Sequence, residues 1–264
     1  MKVYVMVDIE GISGIYAREQ VLRTESKFSE GRRYMTEDIN YCVKGLKAAG
    51  VDEVIVCDCH GVSYSVIWEN LTSEVDFCVS GFVPGKRFYG ADDADAIILL
   101  GYHAMAGTAG GLLDHTYSSV DIQNIFINGK AVGEIAFDAA IAGEQGIPII
   151  MVSGDDKACK EAKDIMPNVI TACVKHGMGS FGAMLLPPEK AHQLIYDKAI
   201  EAVKNFENCK PYTFEKPINC RVEVTERTVV ANTRHADYMK MIDGRTFEVT
   251  GNTAEEVLYR ATKF

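Results

Sequence analysis

Short runs of apolar, mostly β-branched residues recur along the chain, at residues 2–7, 53–57, 96–100, 147–152 and 169–174. Each is too short for a typical helix and nearly continuous in apolar character, as expected of a strand buried on both faces. The stretches between them carry helical spacing. Residues 32–49 place Met35, Ile39, Cys42, Val43 and Leu46 on one face and stop at Gly50. Further helices are expected at 134–145, 188–206 and 253–262, with a shorter one at 64–71. Strands alternating with helices predict an α/β fold with a mixed, mainly parallel sheet flanked by helices. Asn128-Gly129, set between apolar runs over 122–132, is a hairpin signal and adds an antiparallel hairpin lobe. The tail reads as a strand at 220–225, a helix near 234–242 and a strand at 246–250. No repeat or clean linker divides the 264 residues. They are read as one α/β unit, 1–264, with a smaller lobe expected at about 105–215.

Charge narrows the partners. Twenty-seven Lys and Arg face thirty-seven Asp and Glu, a formal net charge of −10, with no basic cluster. That argues against nucleic acid or an anionic membrane as partner. No stretch approaches the roughly 20 apolar residues of a membrane span. The first apolar run ends at Asp8 and does not resemble an export leader. The eight cysteines form no CxxC pair, so reduced thiols and a cytoplasmic location are expected. Cys57 and Cys59 share one strand face but lack a second pair to complete a tetrahedral site, and packing is the reading taken.

The chemistry gathers at strand ends. The first run stops at Asp8-Ile9-Glu10-Gly11, the second at Asp58-Cys59-His60, and the run at 96–100 at Gly101-Tyr102-His103. In open α/β sheets, ligands bind outside the carboxyl ends of the strands. Asp8, Glu10, His60 and His103 all fall there by one rule, and Glu134 at the start of a helix is within reach of the same place. Three carboxylates and two imidazoles suit zinc, manganese or cobalt. They exceed the about three protein ligands of one catalytic zinc, so two cations roughly 3.5–4 Å apart are expected. Residue by residue, the alternatives stay open. Carboxylates also cap turns, a histidine is also a satisfied half-buried ring, and a first-turn Glu is favoured by the helix dipole. His115 lies beyond the Gly-rich segment 104–114 and is placed to return over the site as a proton-transfer group. Lys175, His176 and the turn that follows are candidates to line a pocket. His192 and His235 read as surface residues. No phosphate-binding loop, dinucleotide fingerprint or nucleophile elbow is present.

These residues carry a resemblance. Val7-Asp8-Ile9-Glu10-Gly11-Ile12-Ser13-Gly14, Asp58-x-His60, Leu100-Gly101-Tyr102-His103-Ala104, His115, Ile127-Asn128-Gly129 with Val132-Gly133-Glu134, and Met151-Val152-Ser153-Gly154-Asp155-Asp156 resemble the DppA-type zinc D-aminopeptidases. The likeness is clearest over about residues 1–176. It implies a binuclear zinc peptidase with Zn2+ ions at two sites per subunit. Asp8 would bridge them, Glu10 and His103 would complete one shell, His60 and Glu134 the other, and His115 would be catalytic. It also implies cleavage of short peptides with N-terminal D-residues and a homo-oligomeric, decameric ring. The residues alone leave two other readings open: another metal-dependent amidohydrolase or metallophosphatase, or a non-catalytic peptide-binding protein with a structural metal.

Overall fold

The computed structural model describes residues 1–61, 63–81, 86–232 and 237–262. A seven-stranded sheet forms its centre, ordered β3-β2-β1-β4-β7-β8-β9. The strands are β1 (Lys2–Val7), β2 (Glu53–Asp58), β3 (Phe77–Val79), β4 (Ala96–Tyr102), β7 (Ile149–Asp155), β8 (Ile170–Gly177) and β9 (Ala183–Leu185). All pairings are parallel except the last, where β9 folds back on β8. Between β4 and β7 come β5 (Ile122–Ile127) and β6 (Lys130–Ala131). They join a second, antiparallel sheet of order β11-β12-β10-β5-β6, with β10 (Ile218–Val224), β11 (Met239–Met241) and β12 (Thr246–Gly251).

The helices are α1 (Phe28–Ala48), α2 (Glu134–Glu144), α3 (Asp156–Ile165), α4 (Pro188–Lys204), α5 (Arg227–Asn232) and α6 (Ala254–Thr262). Strand alternation divides the core into two layers. Val3, Val5 and Val7 join Met35, Ile39 and Leu46 of α1 and Ile195 and Ala199 of α4. Tyr4 and Met6 point the other way, into a layer with Phe137 of α2, Ala158 of α3 and Val222 and Phe247 of the second sheet. Every residue of β4 and β7 is buried, which explains why these strands read as unbroken apolar runs. The hairpin turn is as expected, with φ of 50° at Asn128 and 81° at Gly129. Among the described residues no helix is long and apolar enough to cross a membrane.

Three elements differ from the sequence reading. The region expected as a helix near 234–242 holds strand β11, whose Met239 and Met241 pair with β12. Residues 233–236, with His235, lie outside the described residues. The short helix expected at 64–71 is a single 3-10 turn, Trp68–Asn70. Helix α1 begins at Phe28, four residues before the apolar periodicity becomes clear at residue 32.

The sheet order creates a switch point. From β1 the chain moves outward through β2 to β3, then returns to place β4 on the other side of β1. The crevice outside the carboxyl ends of β1 and β4 is where such a fold takes its ligands.

Candidate metal centre

The loop after β1 is stitched to the end of β4. Asp8 N–H donates to Leu100 O at 2.9 Å and Gly11 N–H to Gly101 O at 2.7 Å. A Cβ on Gly11 would lie 2.0 Å from Tyr102 O. One on Gly101, whose φ is +73°, would lie 2.4 Å from Asp8 O. Glycine at both positions is what lets the two strand ends meet. The junction buries Asp8, Glu10 and His103, at 5%, 6% and 2% exposure.

Two buried charges hold the acidic loop from behind. Lys175 on β8 donates to Glu10 O at 2.7 Å, Ile12 O at 2.7 Å and Ile15 O at 3.0 Å. Burial pushes its ammonium down to about 7, against the pull of the Asp155, Asp38 and Glu10 carboxylates. The geometry still calls for the charged form, because only an ammonium has three N–H groups to give to three carbonyls. Asp38 on α1 accepts from Ser13 N–H at 2.8 Å and Ser13 Oγ at 2.6 Å. His192 lies 3.5 Å from Asp38 and stacks on Tyr41 at 4.4 Å. Its ring is buried, contrary to the surface position expected from the sequence, because α4 packs on α1. Lys175→Met is expected to destabilise the fold by about 3 kcal/mol, since each buried carbonyl left unpaired costs about 1–3 kcal/mol and the lost charge burial offsets part of that. Equilibrium urea unfolding at unchanged m-value is the check.

His60 follows β2 in a loop organised by Asp58, which accepts N–H groups from His60, Ser65 and Val66 at 3.2, 2.6 and 3.2 Å. Its Nδ1 lies 3.1 Å from Ser65 Oγ and its Nε2 3.4 Å from Glu10 Oε1. His103 Nδ1 sits 3.0 Å from Ala104 O. A carbonyl only accepts, so Nδ1 carries a proton and Nε2 is the ring atom turned to the site. That Nε2 is 3.3 Å from Asp8 Oδ2 and 3.3 Å from Glu134 Oε1. Glu134 opens α2 and also accepts Tyr117 N–H at 2.8 Å. His115 donates Nδ1–H to Leu113 O at 2.9 Å. Its Nε2 is 3.7 Å from Glu134 Oε1, and its ring stacks on His103 at 3.9 Å and 13°.

All five expected ligands and His115 therefore converge on one rim. Glu10 lies 3.4 Å from His60, and His103 lies 3.3 Å from both Asp8 and Glu134, whereas the resemblance implies Glu10 with His103 and His60 with Glu134. Asp8, Glu10 and His103 offer ligand atoms within 4.8 Å of one another, as do His103, His115 and Glu134. Two buried atoms in the cluster have no hydrogen-bond partner, Glu10 Oε2 and His103 Nε2. The charges lean on one another. Burial disfavours the His60 imidazolium, but the Glu10 carboxylate outweighs it and pushes the ring up to about 9. Burial would raise Glu10 and Glu134, yet His60 holds the first below its usual range and His103 the second. Buried carboxylates in such a group demand positive charge, and unpartnered oxygen and imidazole donors fit a cation of zinc's kind.

Beside the cluster opens a cavity of about 240 Å³, lined by Glu10 and His115 and by Val21, Leu22, Leu113 and Phe181. Ser180, from the turn after β8, also reaches it. His176 does not join it, being exposed and 3.8 Å from Asp156 on α3. Lys175, expected to line a pocket, instead braces the loop from behind, and Asp38 is a residue to which sequence reasoning assigned no role. A lone Lys at the end of an apolar strand was the available signal for the first.

An acidic, imidazole-rich rim open to a cleft, at the switch point of a parallel sheet, marks a metal-dependent hydrolase of the α/β class. Comparison with known proteins makes this specific. The model of the peptidase M55 D-aminopeptidase family matches residues 1–263. A D-aminopeptidase of Bacillus subtilis (strain 168) is 36% identical over 214 residues, covering 81% of this chain and 77% of that one. The solved structure of the Zn-dependent D-aminopeptidase DppA from Bacillus subtilis, a self-compartmentalizing protease, superposes with a TM-score of 0.91 at 32% identity, over 99% of this chain and 95% of that chain. The chain belongs to the D-aminopeptidase family. It is a metallo-aminopeptidase, with the fold class expected from its alternating strands and helices.

Proposed function

We propose that this protein is a binuclear zinc aminopeptidase that removes N-terminal D-residues from short peptides. The observation that carries the reading is the convergence of Asp8, Glu10, His60, His103 and Glu134 around the unpartnered Glu10 Oε2 and His103 Nε2. Glu10 and His60 would hold one ion, His103 and Glu134 the other, and Asp8 would lie between them. When bound, a zinc pair supplies Lewis acidity toward the peptide carbonyl and lowers the pKa of a water toward neutrality. The remaining work falls to side chains. His115, with Nδ1–H committed to Leu113 O, has Nε2 available to hold a proton and pass it to the leaving amine. Val21, Leu22, Leu113 and Phe181 give the substrate an apolar seat and keep bulk water from the reacting bond. The D-residue preference and an assembly of the self-compartmentalizing kind, expected to be a decamer, rest on the similarity to the Bacillus subtilis enzyme.

The test is removal of metal by chelator, then restoration with zinc, assayed on matched D- and L-aminoacyl peptides. Activity on the D-series should vanish and return with zinc. Peptide that binds but is never cut with zinc present would leave a binding protein, and equal rates on both series would remove the stereochemical assignment.

A further inference from the structure

Among the described residues, the cleft carries one permanent cation that the scheme above does not use. Arg18 lines the same cavity as Glu10 and His115. It opens the 3-10 turn Arg18–Gln20. That turn is firmly fixed. Gln20 is fully buried, and its side-chain oxygen accepts Tyr16 N–H and Ala17 N–H at 2.9 and 3.1 Å. Its side-chain nitrogen donates to Gly14 O and Glu30 Oε1 at 3.1 and 2.7 Å. The Arg18 side chain is exposed, and among the described residues no carboxylate lies within salt-bridge distance of its guanidinium. Arg87 and Arg260, by contrast, are each paired with an acid. Another cation near this loop, Lys175, has all three N–H groups committed to carbonyls. The acid on the cleft wall, Asp114, is occupied by Gly107 N–H at 2.8 Å and Ser180 Oγ at 3.4 Å.

We propose that Arg18 is the subsite for the C-terminal carboxylate of a short peptide whose first peptide bond lies at the acidic centre. The inference rests on the aminopeptidase reading and names the substrate class more closely, as small peptides with a free carboxyl end. A peptide presents an amine at one end and a carboxylate at the other. An aminopeptidase cuts the first peptide bond, so the amine end lies at the centre and the remaining residues carry the carboxylate end away from it. Among the described residues, Arg18 is the Lys or Arg that lines this cavity. The guanidinium fork matches a carboxylate with two parallel hydrogen bonds, and a turn already fixed by Gln20 limits the ordering needed on binding. An extended peptide spans roughly 3.5 Å per residue, so a guanidinium on the cleft wall favours peptides long enough to reach it.

The experiment compares a dipeptide with its C-terminal amide on the zinc-loaded protein, in the parent chain, Arg18→Gln and Arg18→Lys. The parent should favour the acid. Arg18→Gln should raise KM for the acid by about tenfold more than for the amide, the loss expected of one charge-assisted contact, with the kcat ratio held. Arg18→Lys should recover part of the difference. Calorimetric titration with a dipeptide whose amide bond is reduced should give the same ordering in Kd, independently of turnover. If Arg18→Gln changes acid and amide alike, or changes neither, while hydrolysis continues, the subsite assignment is overturned. If the parent protein cuts neither compound with zinc restored, the aminopeptidase reading has failed, and that failure is visible before any variant is compared.

Discussion

Replacing His115 with alanine is expected to lower kcat by about 10²- to 10⁴-fold, the usual worth of a placed proton-transfer group, while zinc content stays as in the parent protein. Proximity alone would allow a different outcome. His115, His103 and Glu134 offer atoms within 4.8 Å of one another, and the three side chains look like a ligand set. Ring geometry argues against it. An imidazole nitrogen binds a cation along its lone pair, in the plane of the ring. The His103 and His115 rings are stacked at 3.9 Å and 13°, so their lone pairs run in separate, nearly parallel planes. His103 would hold an ion together with Asp8 and Glu134, and the stacked His115 would not share it. His115 is left facing the cleft with Nε2 available for a proton. Metal analysis beside kcat decides the matter, and added imidazole should restore part of the lost rate. A fall in zinc per chain would make His115 a ligand and remove the proton-transfer role.

How far the sequence discloses this centre follows from what strand order can and cannot encode. Strand ends are local, so Asp8-Ile9-Glu10, His60 and His103 were recognisable as rim residues from the apolar runs that precede them. Asn128-Gly129 was recognisable because its positive φ values are a property of those two residues. The grouping of ligands is not local. It depends on β1 lying between β2 and β4, with Val7 opposite Asp58 on one side and Leu100 on the other. That register sets His60 beside Glu10 and His103 beside Asp8, which no spacing along the chain reveals. The partner of the hairpin was equally hidden, since β5 pairs with β10, some ninety residues further on, and the pairing of Cys220 with Ile127 is a tertiary fact. Lys175 shows the limit from another side. A lysine among apolar strand residues reads as a strand terminus, but the chain buries it because three carbonyls of the acidic loop take its three N–H groups. His192 went the same way, buried where α4 meets α1, with Tyr41 and Asp38 supplying its contacts.

The same register makes metal stoichiometry the sharpest test of the centre. Asp8 stands between the two pairs: its Oδ2 is 3.3 Å from His103 Nε2, and its ligand atoms lie within 4.8 Å of those of Glu10 and His103. Glu10 and His60 lie on the β2 side, His103 and Glu134 on the β4 side. Asp8→Ala should therefore cost both ions and reduce activity to that of the metal-free protein. It removes an acid common to both sites and leaves the remaining carboxylates closer to balance with the imidazoles. His60→Ala should cost only the ion on its own side, because the His103–Glu134 pair and Asp8 are untouched. Unfolding is not the expected cause of either loss, since the Asp8 side chain accepts only its neighbour's N–H, from Ile9 at 2.9 Å, and the loop is held by Lys175, Asp38 and the bonds to β4. Zinc per chain, measured after dialysis against a weak chelator, should read about two in the parent protein, about one in His60→Ala and about none in Asp8→Ala, following the two-ion arrangement. An Asp8→Ala protein that keeps one tightly held ion would show that the carboxylate serves a single site, and the two halves of the rim would then have to act separately.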